Sequence, residues 1–189
     1  MRPLQSIAMG LVIVALSAPV GDGYDALPDP LGWLLVVLGS RALPDQVPRR
    51  RVVVTLAWLA AAASVPLWVP GFSDAAYATH PSLGWALNLP QLGFAAVLCH
   101  SLAGSALAAE DHRAVAWLRT AMAGFVVAVV LPVIVFGAGI GSLELTSYVA
   151  AVLVLISLIW LLFTYSARPW AVTPETRRGP HPPQEERPS

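Results

Sequence analysis

The sequence predicts an all-α membrane protein, a polytopic transmembrane helical bundle of about six spans. Three observations lead there. Of 189 residues, 57% are hydrophobic and only 12% charged, where a soluble domain carries about 25% charged residues. The apolar residues fall into long runs, several approaching the ~20 residues that cross a hydrocarbon core. Lysine is absent, and the eleven arginines lie between alternate runs.

Leu4 to Val20 reads as a first helix that follows Arg2. It has the basic start and apolar middle of a signal sequence. Pro19 after Ala18 is a poor neighbour for a cleavage site, so the helix is expected to be retained. The stretch Gly21 to Pro44 comes next, GDGYDALPDPLGWLLVVLGSRALP. Asp29-Pro30 has the form of a helix start, with aspartate as cap and proline at the first helical position. A helix from Leu31 to about Leu43 is only about 20 Å long, so this second span is expected to be short or partly re-entrant.

The run D-A-L-P-D-P-L-G-W, Asp25 to Trp33, just after Tyr24, resembles a D-x-x-P-D-x-x-G-W loop–helix signature of uncharacterised small multi-pass bacterial membrane proteins. The resemblance implies the membrane class and carries no activity. The all-arginine, alanine-rich composition fits the same bacterial setting through codon usage.

Val52 to Val69 reads as the third span, with a connection from Gly71 to Leu87 behind it. Asn88-Leu89-Pro90-Gln91 has the spacing of a capping box and starts a fourth span from Leu89 to Ala109. A fifth runs to about Ile140 with a kink at Pro132, and Leu145 to Ser166 is the sixth. Residues 1–167 therefore form one six-span domain. Residues 168–189, rich in proline and mixed charge, read as a disordered cytoplasmic tail.

With six alternating spans and a cytoplasmic N-terminus, every arginine lies on the cytoplasmic side, as the positive-inside rule requires. The expected location is the bacterial plasma (inner) membrane, with both termini inside. Trp33, Trp68 and Trp85 would then lie near the outer interface and Trp117 and Trp170 near the inner one. Arg49, Arg50 and Arg51 would face anionic lipid headgroups. A formal net charge of zero predicts no nucleic-acid partner; a membrane protein partner or a second copy of the chain fits the composition.

Candidate chemistry is sparse. The single cysteine, Cys99, excludes an intrachain disulfide and any CxxC site, and neither H-E-x-x-H nor G-x-x-x-x-G-K occurs. No cofactor or metal is expected. His100 falls near the middle of the fourth span, where an ionisable residue is a functional candidate; bonding to a neighbouring helix accounts for it as well. Asp22, Asp25 and Asp29, with Asp74 and His80 from the next outer connection, would form a shallow acidic vestibule with Tyr24 at its rim. Turn and cap chemistry explains the same aspartates. The expected function is a non-enzymatic membrane protein, a small transport component or an assembly or structural partner. The alternative is a membrane enzyme using the outward-facing loop Asp22 to Asp29.

Overall fold

The structure is a computed structural model that describes residues 2–16, 19–20, 24–25, 29–67, 81–138 and 144–172. Among these the chain is all-α, with six helices: α1 (Pro3–Ala15), α2 (Asp29–Arg41), α3 (Arg50–Leu67), α4 (Pro81–Ala108), α5 (His112–Ala138) and α6 (Glu144–Tyr165). A 3₁₀ turn, Pro169–Ala171, follows. Each helix packs on the next in sequence, and α6 returns to α1, so the six close into a ring. A two-residue antiparallel ladder, Pro19 opposite Asp25 and Val20 opposite Tyr24, links α1 to α2.

Several boundaries differ from expectation. The first helix stops at Ala15 rather than continuing to Val20. Ala15 is four residues before Pro19, and a proline ring clashes with the carbonyl four residues upstream. The residue before a proline also favours extended backbone. The fourth helix begins at Pro81, eight residues before the expected start, and continues through Asn88 and Pro90. Pro81 sits in the first turn, where no donor is needed, and the local capping pattern at Asn88 does not end the helix. The fifth helix ends at Ala138, two residues before expectation, but begins at His112, inside the stretch 110–119 expected to be a connection; the sixth lies within one residue of expectation at both ends.

Among the described residues, two helical segments are long and apolar enough to cross a membrane, Ala86–Ala108 of α4 and His112–Leu131 of α5. Less than half of each is buried inside the bundle. Helices α1 and α2, of 13 residues each, are only about 20 Å long.

The α1–α2 pair is built backbone against backbone. A Cβ on Gly10 would meet the carbonyl oxygen of Gly32, and one on Gly39 would lie 2.8 Å from the carbonyl oxygen of Pro3. Only glycine permits that approach, the small-residue packing of membrane helices. The Ser6 hydroxyl donates to the Leu35 carbonyl at 3.1 Å across the same interface. Close contact here turns Trp33 inward. Its ring meets Phe94 of α4 edge to face at 5.5 Å, and both are buried. Trp33 therefore belongs to the core and not to an outer aromatic belt. Phe125, Leu98, Leu102 and Leu158 fill the same interior.

Candidate functional site

The described polar chemistry concentrates at the end of the ring where α1 and α3 begin and α2 ends. Antiparallel neighbours bring the α4–α5 turn and the end of α6 there too. Arg2, Arg41, Arg49, Arg50, Arg51, Arg113 and Arg168 all lie at this end, with Arg119 two turns inside α5. The acids beside them are Asp45, Glu110 and Asp111.

Two internal ties hold this basic end. The Arg50 guanidinium donates to the Arg41 carbonyl at the end of α2 and pairs with Asp45 at 2.5 Å. A cation at a helix C-terminus satisfies an orphan carbonyl and complements the dipole. Arg50 thus points back to the α2–α3 loop, while Arg49 and Arg51 on either side are exposed. Only these two of the expected headgroup-facing trio are turned outward.

The second tie centres on Asp111. The α4–α5 turn is a Schellman closure: the Asp111 amide donates to the Ala106 carbonyl at 2.9 Å and the Glu110 amide to Leu107 at 3.0 Å. Glu110 takes the left-handed position at φ 57°, which glycine usually occupies. Asp111 then caps α5, accepting from the Ala114 amide at 3.2 Å. Its second carboxylate oxygen accepts from the Trp170 indole at 3.4 Å and lies 3.7 Å from Arg168. Trp170 also stacks at a tilt on Tyr165, centroids 5.9 Å apart, and Ala171 beside it is buried. Residues 168–172 are therefore built onto the α4–α5 turn, where a disordered tail was expected to begin. Residues 173–189 lie outside the described residues.

Among the described residues His100 makes no hydrogen bond to a neighbouring helix. Because α4 starts at Pro81, His100 lies past its midpoint, and its side chain is exposed on the outer face of the ring. Its depth follows from two contacts between antiparallel α3 and α4. A Cβ on Gly93 would lie 3.9 Å from Leu56, and one on Gly104 would lie 3.1 Å from the Pro48 ring. The first residues of α3, Arg50 and Arg51, come level with His100 to within a turn. His100 is therefore a neighbour of the arginines in depth.

The expected acidic vestibule is described only in part. Tyr24 and Asp25 form the second strand of the ladder, and Asp29 is the first residue of α2, two residues before the expected start of the helix. These three belong to one connection at the end of the ring opposite the arginines. Asp22, Asp74 and His80 lie outside the described residues. Among the described residues no group of three or more His, Cys, Asp or Glu side chains could hold a metal ion.

Sequence reasoning missed the Asp111–Trp170 tie and the Gly10–Gly32 contact. For the first, only the cap position of Asp111 before α5 was visible. For the second, the signal was Gly32 and Gly39, seven residues apart on one face of α2. Comparison with known protein families, curated proteins and solved structures yields no match.

Proposed function

We propose that the chain is a multi-pass membrane protein of six embedded helices, with the basic end in the bacterial cytoplasm, that acts non-enzymatically as an assembly or structural partner. The observation that carries the membrane reading is the outer surface of the ring. Large apolar side chains point outward from α1, α2, α3, α5 and α6, among them Met9, Leu34, Trp58, Val127, Leu153 and Trp160. A soluble monomer rarely exposes apolar patches of more than a few hundred Å², whereas lipid tails solvate them. Exposed Trp117 and Trp160 each lie five residues inside the basic end of their helices, where an aromatic belt would sit. The short pair α1 and α2 spans less than the hydrocarbon thickness and depends on its longer neighbours.

Of the two non-enzymatic roles, assembly is favoured over transport by the filled centre. Trp33 and Phe94 meet there edge to face, both within the buried apolar cluster. Topology is tested with reporters fused after Arg178 and inserted near Ala76, expected inside and outside respectively; finding both on one side removes the six-span reading. The role is tested by purification in mild detergent, where a stable complex is expected and metal-dependent turnover would favour the enzyme alternative.

A further inference from the structure

We infer that Arg49, His100 and Arg119 form a docking site for one anionic phospholipid on the outer face of α4 and α5, a proposal that rests on the membrane reading above. Three elements bring these groups to one level. His100 and Arg119 stand ten and nine residues from Glu110 at the tip of the α4–α5 turn, so antiparallel packing places them side by side in depth. Arg49 follows Pro48, whose ring packs against Gly104, one turn beyond His100 on α4. A Cβ at Gly104 would crowd that ring at 3.1 Å, so the glycine lets the loop come close to α4 and holds Arg49 at this level.

All three side chains are exposed, and none has an acidic partner among the described residues. The acids at this end are committed or distant. Asp45 pairs with Arg50, Asp111 with Arg168, and Glu110 lies at the tip of the turn. Two guanidiniums left without a counter-charge, with an imidazole N–H donor beside them, complement a phosphate, for which arginine supplies paired donors.

The surface beyond this triad fixes the class of ligand. Arg119, Ala123, Val126 and Val130 follow one another at helical spacing along one exposed stripe of α5. On α4, Ala96 and Gly93 continue from His100 in the same direction with little side-chain bulk. The face is thus cationic at the basic end and apolar for about three turns away from it. A phosphate headgroup at the triad with an acyl chain along the valines satisfies both halves; a soluble phosphate would leave the apolar half uncovered.

The full chain is placed in phosphatidylcholine vesicles containing phosphatidylglycerol, extracted gently, and the phospholipid it retains is weighed by native mass spectrometry. Wild type is expected to retain phosphatidylglycerol over phosphatidylcholine. Arg49→Gln and Arg119→Gln should each lower that preference about fivefold, the effect of one basic side chain near an anionic surface. Arg49→Lys and Arg119→Lys should keep most of it, and Arg2→Gln, at the same end but outside the triad, should leave it unchanged. Added glycerol phosphate should not displace the lipid. Equal preference in wild type and the glutamine variants overturns the site, as does an equal loss in Arg2→Gln, which would reduce it to the general charge of this end. Displacement by glycerol phosphate would make it a free phosphoester site and overturn the lipid assignment. A chain that does not enter the vesicles overturns the membrane reading itself, a failure distinct from entry with unchanged lipid preference.

Discussion

The indole of Trp170 donates to the carboxylate of Asp111 across 59 positions of sequence, fastening the segment after α6 to the turn between α4 and α5. Asp111 does three things there: its amide closes the end of α4, one oxygen caps α5, and the other receives the indole. One residue thereby joins the end of α4, the start of α5 and the segment after α6.

These roles separate by mutation. Asp111→Ala removes the cap, at a cost of about 1 kcal/mol, and strands the indole for about 1 kcal/mol more. Trp170→Phe removes only the indole donor and keeps the ring on Tyr165, so its cost should stay at or below about 1 kcal/mol. Asp111→Asn retains a capping oxygen and should fall between wild type and Asp111→Ala. The nearby Arg168 contact, half exposed and at 3.7 Å, should add little. Unfolding of the detergent-solubilised chain measures the order. Trp170→Phe being as damaging as Asp111→Ala would mean that the tie, and not the cap, dominates.

A second prediction tests the glycine contact. In Gly10→Ala the new methyl would meet the Gly32 carbonyl oxygen and lie 2.7 Å from Val36 Cγ2. Backbone cannot yield as a flexible side chain can, so α1 must shift from α2 at a cost of about 1–3 kcal/mol. Gly93→Ala is the control. Its methyl would meet only Leu56 at 3.9 Å, and replacing a helical glycine by alanine gains up to about 1 kcal/mol. Opposite effects on stability are expected from the same chemical change; a similar loss in both variants would mean that α1 and α2 do not meet through Gly10.

What could be read in the sequence was what depends on near neighbours. Asp29-Pro30 begins α2, where the fixed φ of proline and an acid in the first turn act within a few residues. The described arginines gather at one end because antiparallel connections preserve their alternation. Reading failed where a distant contact decided the outcome. The end of α1 is different, a near neighbour given too little weight: the apolar run continues past Ala15, but Pro19 disfavours helix over the turn before it. Asn88 to Gln91 has capping chemistry, yet α4 continues through it to Pro81. Trp33 was assigned to an interface because tryptophan favours that depth, whereas its burial is set by glycines on α1 and α2 and by Phe94 on α4. The early start of α4 places His100 past the middle of its helix, and its level beside α3 is set by Gly93 against Leu56 and Gly104 against Pro48, which no local pattern encodes.

The adjacent pair Cys99 and His100 gives the last prediction, because one step along α4 turns the side chain by about 100°. Cys99 is fully buried against the core, so a membrane-permeant maleimide should leave the native chain unlabelled in vesicles and modify it after denaturation in strong detergent. His100 faces out at the level of the arginines. In a Cys99→Ser background, His100→Cys should therefore label readily in the native state, since thiolate formation needs water and the headgroup region supplies it. The contrast checks rotation and depth together. Labelling of native Cys99 would mean that α4 is rotated from the position described. A Cys99 that stays protected beside an unreactive cysteine at position 100 would mean that this face is immersed in hydrocarbon, and the arginine level would then lie nearer the end of α4 than its contact with Pro48 requires.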